Sequence, residues 1–175
     1  MLFLQAALVV FSFSLNSSKI KVGDKAPFFE AVTDQGTKFS LQEEIGKKNI
    51  VLYFYPKDMT SGCTAEACGF RDDWGKIVSL GATVIGVSSQ DEKSHLEFKK
   101  RNNLPFDLLV DQGGKIREMY GAKGFLIPPR VTFVIDKQGV IRFVFNSQLQ
   151  VTKHVSGALK ILEELSEKEK TTSAA

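Results

Sequence analysis

The run Ile50-Val51-Leu52-Tyr53-Phe54-Tyr55 constrains this chain more than any other stretch. Its β-branched and aromatic side chains predict a buried strand. Pro56 ends that strand, because proline has no N–H to give to a ladder. A short polar loop follows. A helix is then predicted from near Gly62, since Ala67, Phe70, Trp74, Ile77 and Val78 keep helical spacing towards Gly81. Cys63 lies four residues before Ala67 and so on the same face. One of the chain's two cysteines is thereby placed at a helix N-terminus, at the carboxyl edge of a central strand, pointing inward.

That placement has a chemical consequence. The first turn of a helix offers unpaired N–H groups and a partial positive charge. Both favour a thiolate over a thiol, and the thiolate is the nucleophile. Thr60, three residues earlier, carries a hydroxyl that can donate to the sulfur or to whatever the sulfur attacks. A buried, inert thiol is the plain alternative for any single cysteine; Thr60 and Cys68 weigh against it here. Cys68 stands five residues on in the same helix. Ideal geometry puts the two Cα atoms about 8.6 Å apart and about 140° around the axis. A disulfide needs them within about 7 Å. A bond between them therefore requires the first turns to unwind, which suits a catalytic intermediate better than a structural staple. The alternative is that the two cysteines never meet.

Pro56-x-x-x-Thr60-x-x-Cys63 resembles the active-site signature of the peroxiredoxins. Cys63-Thr64-x-x-Ala67-Cys68 is similar to the peroxiredoxin Q branch, also called bacterioferritin comigratory protein. The likeness runs from about Val22 to Leu165. Ser61 stands where that branch commonly has proline, which costs the loop some rigidity. The resemblance implies an antioxidant thiol peroxidase acting on hydrogen peroxide and organic hydroperoxides. Cys63 attacks a peroxide oxygen, water or alcohol leaves, and Cys63 becomes a sulfenic acid. Cys68 then condenses with it to a disulfide, and a thioredoxin-type reductant restores the dithiol, with no metal, flavin or haem. Pro56 shields the sulfur, and Thr60, Arg130 and the Cys63 N–H stabilise the polarised O–O bond. A monomer is expected, with a weak dimer as the alternative.

The remaining chain predicts the frame around this motif. Pro27 to Val32 and Thr37 to Leu41 read as a hairpin turning at Asp34-Gln35-Gly36, and Gln42 to Lys48 as a short helical turn. Strands follow at Thr83 to Ser88 and Phe106 to Val110, separated by a charged surface helix from Asp91 to Arg101. A short helix at Lys115 to Tyr120 and an irregular loop to Pro129 precede a strand at Val131 to Ile135. Val140 to Phe145 returns antiparallel, and Val151 to Glu167 is a helix with Val155, Ala158, Leu159, Leu162 and Leu165 on one face. Strands alternating with helices read as a three-layer α/β sandwich. By the resemblance it is a thioredoxin-like fold, a central mixed β-sheet flanked by helices with an N-terminal β-hairpin added. The domain is expected over residues 19–167, with a flexible tail at 168–175.

Arg130 directly precedes a buried strand, where strand ends of parallel sheets carry sites. A guanidinium there holds a thiolate ionised and orients a peroxide oxygen. Arg130-Val131-Thr132-Phe133 also matches the family's Arg-x-Thr-Phe segment. Glu66 has two readings: a carboxylate favourable in a first helical turn, or, by the resemblance, a partner that holds the arginine. His95 and His154 lie on charged amphipathic helices far from Cys63, which favours solvated or capping roles.

A net charge of +3, without basic runs interleaved with aromatics, gives no sign of nucleic-acid binding. Two cysteines make neither a disulfide scaffold nor a four-ligand zinc site. Two rival functions turn on the cysteine spacing. Thiol–disulfide exchange wants C-x-x-C, which is absent, and a copper chaperone wants a histidine in a loop beside its cysteines. Residues 1–18 are apolar with no charge before Lys19. Their length suits a signal-peptide core better than a span, although no Lys or Arg opens the segment and Ser12-Phe13-Ser14 is a poor cleavage site. Export or anchoring in the cell envelope is the expectation, and a cytoplasmic protein the alternative.

Overall fold

In the computed structural model, residues 20–124 and 126–173 are described; the apolar segment 1–18 lies outside them. Strand β3 (Asn49–Phe54) is buried at every position. It runs parallel to β4 (Ala82–Ser88) on one side and antiparallel to β6 (Val131–Ile135) on the other. Alternation then divides its side chains between two cores. Val51, Tyr53 and Tyr55 pack with Cys63, Phe70, Phe98 and Leu162, while Ile50, Leu52 and Phe54 pack with Leu41, Ile116 and Tyr120. Gly86 in β4 makes the first core possible: a Cβ there would stand 2.8 Å from the Tyr53 hydroxyl.

The sheet has seven strands in the order β2-β1-β5-β4-β3-β6-β7. Strand β5 (Asp107–Val110) adds parallel to β4, and β7 (Ile141–Asn146) adds antiparallel to β6. The N-terminal hairpin, β1 (Glu30–Thr33) with β2 (Lys38–Ser40), attaches through β1 antiparallel to β5. Helices cover both faces: α1 (Leu41–Glu44) and α5 (Lys115–Met119) on one, and α2 (Ser61–Asp72), α3 (Trp74–Ser79), α4 (Glu92–Asn102) and α6 (Val151–Ser173) on the other. This is the mixed, helix-flanked sheet with an N-terminal hairpin that the sequence predicts.

Three elements depart from expectation. The single helix predicted from Gly62 to Gly81 is two, because Asp73 leaves helical geometry at φ −92°, ψ 6°. The second segment starts in a new phase, and Val78 is left 48% exposed instead of in the core. Helix α4 is not merely a surface helix, since its side chains His95 and Phe98 are fully buried. Helix α6 passes the expected end at Glu167, and residues 168–173 are helical. Glu169 fastens that last stretch to the body, accepting from Lys137 Nζ at 2.6 Å and from Asn49 Nδ2 at 3.4 Å.

Candidate active site

The chain leaves β3 at Phe54, and α2 opens with Thr60 as its N-cap at φ −84°, ψ 148°. Thr64 N–H donates to the Thr60 carbonyl at 2.9 Å, which closes the first turn. Cys63 is the third helical residue and only 1% exposed. Its sulfur thus sits in the field of a helix start, roofed by its own strand–loop–helix unit.

Arg130 reaches it from the far side of β3. Because β6 is antiparallel to β3 and pairs Val131 with Phe54, the residue before β6 falls beside the end of β3. Arg130 is thus delivered to the end of β3 by an antiparallel strand. Arg130 Nη2 donates to Cys63 Sγ at 3.5 Å, and Nη1 donates to Glu66 Oε2 in a buried ion pair. Of the two readings of Glu66, the one in which it holds the arginine is the geometry observed. Burial lowers the Arg130 pKa, but the charges of Glu66 and Cys63 outweigh it and hold the guanidinium above its ordinary value. Burial pushes Glu66 up to about 7 against the opposing pull of Arg130. Gly62 makes room for this contact, since a Cβ there would stand 3.0 Å from Arg130 Nη2.

Thr60 is placed differently from expectation. Its hydroxyl is exposed and donates to the Lys57 carbonyl at 2.9 Å, closing the loop that Pro56 opens. Pro56 is half-buried at the start of that loop. Cys63 and Cys68 are both free thiols on the unbroken helix α2. Cys68 is half-buried, and its thiol lies 3.8 Å from Asn102 Oδ1 of α4.

Two groups escaped sequence reasoning. Arg117 is buried and donates to the Tyr55 carbonyl and, at 3.4 Å, to those of Val87 and Pro129. It ties together the ends of β3 and β4 and the loop that delivers Arg130. Asp111 in turn accepts the Ile116 and Arg117 amides, each at 2.9 Å. The second is His154, read as solvated and found fully buried. Its Nε2–H donates to the Ser147 carbonyl at 2.9 Å, so Nδ1 is the acceptor that takes the Thr132 hydroxyl at 2.8 Å. Nδ1 also lies 3.5 Å from Glu66. The spacing held the clue: His154 precedes Ala158 by four residues and Leu162 by eight, on the apolar face of α6.

Burial lowers the His154 pKa from 6.5 to about 4; the Ser147 bond opposes this and the Arg130 charge adds to it. Between those values the unfolded chain takes up a proton that the folded chain refuses. Stability from this site is therefore full above pH 6.5 and falls as pH drops towards 4. Glu66 has the opposite sign between 4.5 and about 7, so the useful comparison is between variants. His154→Gln is expected to flatten the decline of Tm on the acid side; an unchanged slope would exclude His154 as its source.

Comparison with known proteins agrees with this architecture. Residues 22–144 match the AhpC/TSA family. The chain is 45% identical over 150 residues to the chloroplastic peroxiredoxin Q of Oryza sativa subsp. japonica, a match spanning 84% of this chain and 69% of that protein. The crystal structure of Peroxidoxin BcpB from Mycobacterium tuberculosis superposes with a TM-score of 0.79 at 32% identity, over 83% of this chain and 97% of that one. The bacterioferritin comigratory protein of Xanthomonas campestris, solved in connection with its alkyl peroxide reduction activity, gives 0.73 at 26% identity over 79% of this chain and 92% of that one. Matched over well over half its length and folded alike, this chain belongs to the AhpC/TSA family and is a peroxiredoxin of the Q and bcp branch, a thiol-dependent peroxidase.

Proposed function

We propose that Cys63 meets the peroxide and Cys68 resolves the product, both on α2. The observation that carries this reading is the 3.5 Å contact from Arg130 Nη2 to a buried Cys63 sulfur at a helix start. The thiolate attacks the terminal oxygen of R–O–O–H. An S–O bond forms, the O–O bond breaks, and RO⁻ leaves to take up a proton as ROH. Arg130 Nε is buried with no partner among the described residues, and so supplies a donor for a peroxide oxygen. The Thr60 hydroxyl spends its proton on Lys57, which leaves its lone pairs to accept the peroxide O–H. Pro56 covers the sulfur. The sulfenic acid then condenses with the Cys68 thiol, releasing water and forming the disulfide. Hydrogen peroxide and alkyl hydroperoxides are the substrates in this reading, a thioredoxin-type dithiol is the reductant, and the protein works as a monomer. The apolar segment 1–18 acts as an export signal or envelope anchor, which fractionation of cells would test: recovery wholly in the cytoplasm would refute it.

Condensation demands a change of shape, because residues five apart on a helix cannot be bridged. Hydrogen exchange on the reduced and peroxide-treated protein, with the disulfide verified by mass, tests the scheme. Amides of residues 63–70 are expected to lose protection on oxidation as Ala67 and Phe70 leave the core. Equal protection in both forms, with the bond present, would refute unwinding. Failure to find the bond would refute Cys68 as the resolving thiol.

A further inference from the structure

The loop that precedes Cys63 is anchored at Asp58, a residue with no part in the peroxide chemistry above. Asp58 is buried, and its carboxylate is met by three donors. Oδ1 accepts the Tyr55 hydroxyl at 2.7 Å; Oδ2 accepts Ser94 Oγ at 2.7 Å and His95 Nδ1 at 2.8 Å. Its backbone N–H donates to Gln90 Oε1 at 3.2 Å. Burial pushes the carboxyl up, but the bonds and charge of His95, with Ser94 and Tyr55, outweigh it and hold Asp58 below the ordinary carboxylate range. An ionised Asp58 only accepts. The other ring nitrogen, Nε2, faces the Leu109 carbonyl at 3.2 Å, which also only accepts. Both ring nitrogens of His95 thus face acceptor oxygens, and the ring has no exposure to solvent.

A buried carboxylate held by side-chain donors is an expensive way to hold a surface loop. The adjoining backbone gives a reason for one here. Met59 sits at φ +61°, a left-handed conformation that a side chain of its kind adopts only when its surroundings enforce it. Asp58, the residue before it, is fixed by its bonds to Tyr55, Gln90, Ser94 and His95, and Arg101 Nη1 lies 3.8 Å from the Met59 sulfur. Ser94, His95 and Arg101 all belong to α4. The same helix holds the Cys68 turn, through Asn102 with the Cys68 thiol and through Arg71 Nη1 on the Asn102 carbonyl at 2.8 Å. One helix thus grips the chain on both sides of Cys63.

We propose that Asp58 and His95 are positioning residues for peroxide reduction. Their buried pair clamps the strained loop 56–60 to α4 and so favours the closed, peroxide-ready form over the opened form that disulfide formation needs. This rests on the scheme in which Cys63 and Cys68 condense by unwinding α2. When the clamp is intact, Cys63 is held against Arg130 and oxidised quickly, and the sulfenic acid waits longer before Cys68 reaches it. A weakened clamp reverses both effects.

The two steps separate in a stopped-flow experiment on the full chain, mixed with hydrogen peroxide and followed through its single tryptophan, Trp74. Each phase is assigned by quenching and mass. In Asp58→Asn and His95→Phe, Cys63 oxidation is expected to slow about tenfold or more, while the sulfenic acid converts to disulfide several-fold faster and over-oxidation by excess peroxide falls. His95→Gln keeps one donor towards Asp58 and is expected to fall between those variants and the parent. A lowered Tm with both rates unchanged, or both rates lowered together, would overturn the proposal. Should the phenylalanine variant not fold, Asp58→Asn and His95→Gln carry the same comparison. If the parent protein forms no disulfide, the condensation scheme has failed; if it does and the variants leave the split untouched, only the clamp has.

Discussion

Cys63→Ser is expected to abolish thiol-dependent peroxide consumption, a loss of roughly three orders of magnitude or more. A serine hydroxyl at the same helix start stays protonated at neutral pH, so the field that sustains a thiolate has nothing to act on. Cys68→Ser is expected to behave otherwise. The contact between Arg130 and Cys63 does not involve Cys68, so the first oxidation should proceed at close to the parent rate and leave a sulfenic acid with no partner. Catalysis then stops after one equivalent of peroxide unless an external thiol steps in, and excess peroxide drives Cys63 further up the oxidation ladder. Mass spectrometry after stoichiometric and excess peroxide distinguishes these outcomes. Substantial turnover by Cys63→Ser with thioredoxin and its reductase supplied would move the reacting atom elsewhere.

Arg130→Met is expected to slow Cys63 oxidation by about 10²–10³-fold, the usual cost of removing one preorganised donor from developing negative charge. Methionine fills much of the space without charge or N–H groups. It also strands Glu66, which is buried and loses its ion-pair partner. Breaking one side of such a pair costs about 3–5 kcal/mol when the remaining charge cannot be neutralised. Glu66, already raised to about 7 by burial, avoids most of that cost by taking up a proton. The two roles of Arg130 separate in a double variant. Arg130→Met with Glu66→Gln should recover stability while the oxidation rate stays low. If the rate recovers along with Tm, Arg130 holds the fold and does not act on the sulfur.

Much of this was legible in the chain because the informative contacts start from local patterns. The strand before Pro56, the helix start at Cys63 and the segment at Arg130 each declare themselves within a few residues. Their convergence follows once β3 and β6 are neighbours, although the sequence gives no sign that they run antiparallel. The burial of the histidines is hidden for the opposite reason. His95 sits among lysines and glutamates and His154 follows Lys153, and decisive partners lie far off in the chain: Asp58 for one, Thr132 for the other. A polar side chain on a charged helix looks solvated until its distant partners are known. The break at Asp73 escaped because helical spacing on both sides is good, and only a backbone angle separates the two segments. Charge and polarity suggested a fraying end after Glu167, yet a salt bridge from Lys137, 32 residues earlier, holds the final turns.

The N-terminal hairpin has a consequence for how the molecule avoids its own kind. Strand β5 reads Asp107-Leu108-Leu109-Val110, with Leu108 and Leu109 fully buried. Were it the border of the sheet, its free amides and carbonyls would invite any passing strand to add on. The hairpin takes that border position. Val32 and Thr33 pair with Val110 and Leu109, and Asp34 seals the next step by donating its amide to the Leu108 carbonyl and accepting the Leu108 amide. The border passes to β2, three residues long, whose Lys38 is exposed and paired to Glu30 at 2.8 Å. A short, charged rim offers little for another chain to zip onto. An enzyme proposed to open part of its fold in each cycle is thereby spared a permanently sticky edge.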